Sequence, residues 1–117
     1  QGLKETCIEC EKHNVEAKYC ITDIQKEADV ENCIQTCLTS YGTLNILVNN
    51  AGRAAVVQQP FSAWVETVNV NLVGPMHLSK LAAPIIQMTL GVKFIIFITS
   101  ISAKSDFGWL APYCASK

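Results

Sequence analysis

Tyr113 and Lys117 lie four residues apart near the carboxyl end of the sequence. On an α-helix this spacing places both side chains on one face. A positively charged ammonium beside a phenol favours the phenolate and lowers the pKa of the phenol. A phenol adjusted in this way can exchange a proton with the oxygen of a bound molecule near neutral pH. The pair therefore indicates acid–base chemistry, although the same pair is also common on ordinary helix surfaces.

Three further groups of polar residues accompany this pair. Ser100 follows an apolar run, Phe94–Ile98, and precedes Tyr113 by thirteen residues. Asn49-Asn50-Ala51-Gly52 ends an earlier apolar run, and Asn71-Leu72-Val73-Gly74 lies between the two. Amide side chains at the end of a strand can satisfy backbone groups while facing a ligand, and small residues let a ligand approach the backbone closely. A plain strand-to-loop turn would explain the small residues but not the doubled asparagine.

Apolar periodicity predicts the helices that must hold these residues in place. One helix is predicted over Leu3–His13 and stops at Asn14. A second is predicted over Lys26–Tyr41 and stops at Gly42. A long third helix begins at Phe61.

Two prolines refine this prediction. Gly74-Pro75 lies inside the long helix and predicts a kink, because proline removes one backbone hydrogen bond and clashes with the preceding turn. Pro112 is well placed to open a short helix that carries Tyr113 and Lys117. Trp109, just before it, can either line a substrate pocket or pack against the domain.

Continuous apolar runs predict strands of a parallel sheet that is covered on both faces. The alternation of these strands with helices indicates an α/β chain. The predicted strands are Ala17–Ile21, Leu44–Val48 and Lys93–Ile98.

Taken together, the serine, tyrosine and lysine spacing and the two asparagine motifs resemble the short-chain dehydrogenase/reductase family in its ordinary short form, from about Val15 to Lys117. The resemblance implies an oxidoreductase that moves a hydride between NAD or NADP and a small-molecule carbonyl or alcohol. It also implies a partial Rossmann-like, doubly wound parallel sheet, built from family strands three to five with flanking helices. Residues 1–117 would then be the middle portion of a single NAD(P)-binding domain.

The resemblance also implies roles for individual residues. Tyr113 would be the general acid or base, and Ser100 would hydrogen-bond the substrate oxygen. Lys117 would support Tyr113 and hold the nicotinamide ribose, and Asn71 would hold a water of the proton relay. Asp23, at the end of the first predicted strand, would contact the adenine ring, but by itself it can equally be a turn or cap residue. The implied cofactor-binding residues are Asp23, Ile24, Asn50, Ala51, Gly52, Tyr113 and Lys117.

One expected feature does not occur in the 117 residues. Dinucleotide-binding folds seat the pyrophosphate on a Gly-rich turn at a helix N-terminus, and neither Gly-x-x-x-Gly-x-Gly nor Gly-x-Gly-x-x-Gly is found. In the strand order 3-2-1-4-5, moreover, Ala17–Ile21 is third and does not neighbour the fourth strand, Leu44–Val48. We therefore expect an internal part of a longer family member. The 117-residue chain alone is expected neither to bind NAD(P) nor to catalyse hydride transfer, which leaves a truncated, non-catalytic interaction module as the alternative.

The composition and net charge argue against several other classes of protein. Half of the residues are hydrophobic and the net charge is −1, so a packed core is expected and nucleic-acid binding is not. No apolar run reaches the roughly 18 residues of a membrane span, and no signal-like segment opens the chain. The default expectation is a cytoplasmic protein, with a homo-oligomeric parent.

Six cysteines allow two interpretations. Cys7-x-x-Cys10 and Cys33-x-x-x-Cys37 can be read as the two halves of a zinc site. Alternatively, each pair lies one turn apart on a helix as small, half-buried residues. His13 and His77 have no ligand spacing to either pair, so we favour the helical interpretation and expect neither a metal site nor disulfides.

Overall fold

Two parallel strands lie at the centre of the computed structural model, which describes residues 2–105 and 107–117. Strand β1 is Ile46–Asn49 and strand β2 is Phe94–Phe97, with Leu47 opposite Ile95. The strands are parallel, so the segments that follow them leave from the same edge of the sheet. This edge carries both the Asn-Asn-Ala-Gly motif and the segment that leads to Ser100.

The helices follow the predicted order. The two helix ends predicted near the N-terminus are confirmed, since Asn14 has a left-handed φ of 58° and Gly42 bonds Leu38 O from its N–H at 2.8 Å. Pro112 lies in the first turn of the last helix, also as predicted. The helices are α1 (Gly2–Glu11), α2 (Glu27–Tyr41), α3 (Phe61–Val68), α4 (Gly74–Met88) and α5 (Ala111–Ser116), with short 3-10 turns at Ile101–Ala103 and Gly108–Leu110.

The apolar core lies between α2, α4 and one face of the sheet. Ile34 of α2 and Ala82 and Ile86 of α4 are buried together. The opposite face of the strands is exposed in the described part of the chain. Within the described residues, no helix covers that second face. Residues that pack around the buried cluster are Leu38, Leu44, Leu47, Leu78, Leu81, Ile85 and Ile95. Exposed side chains of the sheet include Ile46, Val48, Phe94 and Ile96.

The strand predicted over Ala17–Ile21 is wrong for the described residues, which form no regular secondary structure from 15 to 23. A strand requires a neighbour that supplies backbone hydrogen bonds, and the sheet of the described residues contains β1 and β2 alone. In the family order, that neighbour would not be β1. Among the contacts of this region is a hydrogen bond of 3.3 Å from the Tyr41 hydroxyl to Glu16 O.

The kink predicted at Gly74-Pro75 is present as a π-helical turn, Asn69–Val73, between α3 and α4. The Gly74 N–H bonds Asn69 O, five residues earlier. Pro75 has no N–H to give to the carbonyl of Asn71, four residues earlier. Turns of this kind are frequent at functional sites, and this one buries Asn71.

Gly74 also permits a close approach that the sequence did not reveal. A Cβ at this position would lie 2.6 Å from Ile24 Cγ1 and 2.8 Å from the Ile24 carbonyl oxygen. Separations below 3 Å are not found in real structures, so any larger residue would push the Asp23–Ile24 segment away from α4. None of the helices in the described part of the chain is both long and apolar enough to cross a membrane.

Candidate active site

A cavity of about 320 Å³ opens at the edge of the sheet where β1 and β2 end. It brings together the loop after β1, the segment after β2 and helix α5. The predicted catalytic pair, Tyr113 and Lys117, shares this cavity with the amide of Asn50. The lining residues are Asn50, Gly52, Arg53, Ala54, Ile98, Thr99, Tyr113 and Lys117.

Lys117 is fixed at the end of β2. Its Nζ donates a hydrogen bond of 2.9 Å to the carbonyl of Ile98. Gly52 lies beside this ammonium, since a Cβ at that position would be in van der Waals contact with Lys117 Nζ, at 3.4 Å. The positive charge therefore lies between the two motifs that follow the strands.

Ser100 lies immediately after Thr99 but does not itself line the cavity. Its hydroxyl oxygen accepts a hydrogen bond of 3.2 Å from the Ser102 N–H and so caps the 3-10 turn Ile101–Ala103. This turn packs against α5. A hydroxyl that accepts through its oxygen still has its proton free to donate.

Asn71 is buried, and its side chain joins the π-turn to two distant segments. Its Oδ1 accepts the Arg53 N–H at 2.8 Å, and its Nδ2 donates to Arg53 O at 2.8 Å. The second Nδ2 hydrogen goes to Ser116 Oγ at 2.8 Å. Ser116 Oγ in turn donates to Tyr113 O at 2.8 Å.

Sequence reasoning missed Arg53 and Ser116. Arg53 directly follows the Asn-Asn-Ala-Gly motif, and Ser116 directly precedes Lys117. Their position next to motif residues is the sequence feature that could have identified them. The Arg53 guanidinium also forms an ion pair with Glu66 on α3. The loop after β1 is thus held to the long helix by both backbone and side chain.

The doubled asparagine divides into two roles. Asn49 is 5% exposed, and its Nδ2 donates to Ser79 Oγ on α4 at 3.1 Å. Asn50 is exposed and lines the cavity. The first amide therefore holds β1 to its helix, while the second is available to a ligand.

Asp23 and Ile24 lie away from the cavity, on the segment that contacts Gly74. The Asp23 carboxylate accepts the Gln25 N–H at 3.1 Å and pairs with Lys26 at 3.5 Å. The Gln25 hydrogen bond and the nearby Lys26 charge lower the pKa of Asp23 from its ordinary 3.8. In this structure Asp23 has the turn-capping contacts that its sequence position also allowed.

The cysteines and Trp109 lie outside the cavity. All six cysteines are free. Burial and the nearby Cys20 raise the pKa of both the Cys33 and the Cys37 thiols. Among residues 2–105 and 107–117, no three side chains of His, Cys, Asp or Glu are placed to hold a metal ion. Trp109 is 57% exposed and is not a lining residue.

The sequence profile of the short chain dehydrogenase family matches residues 1–117. The chain belongs to this family, as the motif spacing predicted. Its architecture is correspondingly the Rossmann-type parallel sheet with flanking helices.

Characterised and uncharacterised relatives come from distant organisms. A protein provisionally named as a ketoacyl reductase in Streptomyces coelicolor is 31% identical over the whole of this chain and 46% of its own length. The human 17-beta-hydroxysteroid dehydrogenase 13 is 27% identical over the whole chain and 40% of its own length. The chain thus spans less than half the length of these relatives.

Solved structures agree with the fold. A 7 alpha-hydroxysteroid dehydrogenase, in complex with NADH and 7-oxo glycochenodeoxycholic acid, is 26% identical with a TM-score of 0.88 over 97% of this chain and 45% of that chain. A short-chain dehydrogenase/reductase from Burkholderia phymatum, in complex with NAD, is 24% identical and has a TM-score of 0.90 over 97% of this chain and 42% of that chain. At its lower identity, the second likeness concerns the fold alone.

Proposed function

We propose that the intact protein is an NAD(P)-dependent oxidoreductase that interconverts a carbonyl and an alcohol on a small molecule. The observation that carries the proposal is the presence of Tyr113 and Lys117 on the wall of one cavity beside Asn50 and Gly52. This cavity lies at the carboxyl ends of parallel strands, where open α/β sheets bind their ligands. Membership of the short chain dehydrogenase family supports the same reaction class.

The residues around the cavity fit the nicotinamide end of the cofactor. Lys117 offers a cation with hydrogen-bond donors for ribose hydroxyls, and Gly52 lies beside it. Asp23, Ile24 and Asn50 would hold the adenosine side, with Ala51 and Gly52 giving room to the backbone. When bound, the cofactor supplies or accepts the hydride.

Tyr113 carries the proton in this proposal. In reduction its hydroxyl gives a proton to the substrate oxygen, and in oxidation the phenolate takes that proton back. Ser100 donates a hydrogen bond to the same oxygen and polarises the carbonyl. The Ser100 hydroxyl is suited to this role because its contact with Ser102 uses its oxygen and not its proton.

The relay water assigned to Asn71 would be held by the backbone of that residue. Both polar atoms of the side chain already bond Arg53 and Ser116. The Asn71 carbonyl, by contrast, receives no α-helical hydrogen bond from Pro75, which has no N–H. A carbonyl freed in this way is a ready acceptor for water.

The experiment compares Tyr113→Phe with the wild-type intact protein. Substrates would be a ketoacyl compound and 7-oxo glycochenodeoxycholic acid, after the names of two similar proteins, with NADH and NADPH. Turnover should fall roughly 100- to 10,000-fold, because the phenyl ring keeps the shape but has no proton to give. Cofactor binding, followed by nicotinamide fluorescence, should change little.

Tyr19→Phe is the matched control, since Tyr19 lies about half exposed on the unpaired segment. It should keep wild-type turnover. Retention of more than about a tenth of the turnover by Tyr113→Phe would contradict the assigned role, given the size of general acid–base effects.

A second candidate is a truncated, non-catalytic interaction module. It rests on one observation, that no Gly-rich pyrophosphate turn occurs within the 117 residues. Saturable binding of NADH or NADPH by the 117-residue chain, at micromolar concentrations, would count against it.

The proposal also includes the cellular compartment and the oligomeric state of the protein. Six free thiols are in keeping with a reducing, cytoplasmic compartment. Between α3 and α5 lies an apolar groove of about 440 Å³ in which Phe61 is 76% exposed. An apolar surface of this kind is typical of interaction sites, and we propose that the intact protein is a homo-oligomer.

A further inference from the structure

Ser116 occupies an unusual position for a serine in a short helix. It is 4% exposed, and its hydroxyl makes two hydrogen bonds of 2.8 Å. The hydroxyl proton goes to the carbonyl of Tyr113, three residues earlier. A serine that bonds its own helix in this way is ordinary. The second bond, received from the buried amide of Asn71 on another helix, is not local.

The donor and acceptor groups determine the direction of each hydrogen bond in this series. Asn71 Oδ1 accepts from the Arg53 N–H, so the amide cannot be reversed without losing that bond. One Nδ2 hydrogen is used by Arg53 O, which leaves the other for Ser116. The serine oxygen must therefore accept, and its only proton must point to Tyr113 O. Bonds connected in sequence like this strengthen one another.

We propose that Ser116 is a positioning residue that sets the location of Tyr113 over the cavity. The inference rests on the proposed function, since it assigns Ser116 a part in the chemistry of Tyr113. Through Ser116, the backbone of the tyrosine is tied to the π-turn at Asn71, and through Asn71 to the loop after β1. Two of these segments, the loop after β1 and α5, line the cavity, and the π-turn joins them through Asn71.

Loss of the Ser116 hydrogen bonds should lower turnover more than it weakens cofactor binding. Lys117 has its own anchor at Ile98 O, so the cation should stay in place when the serine link is removed. Tyr113 lies in a helix of only six residues, which has little stability of its own. A shift of about 1 Å in a reacting group can lower the rate by roughly 100-fold.

The test uses Ser116→Ala and Ser116→Thr in the intact protein. Ser116→Ala removes both hydrogen bonds, and kcat is expected to fall about 10- to 100-fold, while KM for the cofactor stays within about twofold. Ser116→Thr retains the hydroxyl and should recover most of the lost turnover. Ser62→Ala, at an exposed serine of α3, is the matched control and should behave as wild type.

Thermal unfolding of each variant separates positioning from general loss of structure. If Ser116→Ala is unfolded at the assay temperature, Ser116→Cys replaces it, because a thiol fills the place of the hydroxyl but is a weak donor and acceptor. A folded Ser116→Ala or Ser116→Cys with kcat within about twofold of wild type would overturn the inference. So would a loss of kcat that Ser116→Thr, when folded, does not reverse.

The two proposals fail in different ways. If the wild-type protein shows no turnover and no cofactor binding, the proposed function fails, and the role of Ser116 in that reaction fails with it. If wild type is active and Tyr113→Phe is inactive while Ser116→Ala is unaffected, only the positioning role is wrong.

Discussion

Two regions of this molecule differ in how far contacts with distant parts of the sequence hold them in place. Around the cavity, the segments that carry residues 49–53, 71 and 113–117 are joined by side-chain hydrogen bonds across 18 and 45 residues of sequence. In the N-terminal region, α1 has no buried residue and residues 15–23 have no regular secondary structure.

The difference shows what order depends on in this chain. Both regions have local sequence patterns that predict structure. The N-terminal region has an amphipathic stretch, and the cavity region has the motif residues. In the cavity region the buried Asn71 side chain makes three hydrogen bonds to distant residues, whereas the N-terminal region is joined to α2 by the Tyr41 hydroxyl bond to Glu16 O. Short isolated helices and unpaired strands have little stability, so local pattern alone does not give a fixed structure.

Among the substitutions that test this difference, Asn71→Ala in the intact protein is expected to change stability the most. The change leaves the Arg53 N–H, the Arg53 carbonyl and Ser116 without their partner in a buried site. Unfolding free energy, measured by denaturant titration, should fall by about 2–4 kcal/mol, since each buried group left unpaired costs about 1–3 kcal/mol.

Asn32→Ala, on the exposed surface of α2, is the control for that variant and should change stability by less than about 0.5 kcal/mol. If both variants behaved alike, the network around Asn71 would not be what distinguishes the two regions.

A smaller effect is expected from Gly74→Ala, which tests the contact of α4 with the Asp23–Ile24 segment. The new methyl group would overlap Ile24, including its backbone carbonyl. Stability should fall by about 1–3 kcal/mol, the usual range for overpacking. Gly2→Ala is the matched change in α1, where nothing lies within 4 Å of the added Cβ. An unchanged melting temperature in Gly74→Ala would mean that the Asp23–Ile24 segment moves away from α4 without cost.

The smallest effect is expected from protonation of Asp23 in the N-terminal region. Its folded-state pKa is lowered from 3.8, first by the Gln25 N–H, and the charge of Lys26 acts in the same direction. A lowered pKa means that the carboxylate stabilises the turn above the unfolded-state value and loses this effect as the pH falls through the folded-state value.

An NMR titration should therefore show the Gln25 amide signal changing at a pH below 3.8, and Asp23→Asn should abolish that transition. A midpoint above 3.8 would contradict the capping contact. The melting temperature near neutral pH should hardly differ between Asp23→Asn and wild type.

Much of the fold could be predicted because its causes are local. Gly42 ends α2, Pro112 opens α5, and the Gly74-Pro75 pair locates the distortion of the long helix. Each depends on the backbone chemistry of one or two residues. The placement of Tyr113 and Lys117 on one wall likewise follows from helical spacing.

Only the tertiary structure decided the rest, because strand pairing and buried hydrogen bonds depend on residues far apart in the chain. Ala17–Ile21 has the composition of a strand, yet it stays unpaired where no described strand lies beside it. Asn71 was predicted from its motif, but its two partners, Arg53 and Ser116, become its neighbours only when the loop, the π-turn and α5 meet. A serine next to a lysine carries no sign in the sequence that a distant amide will donate to it, since that bond is created by the packing of two helices.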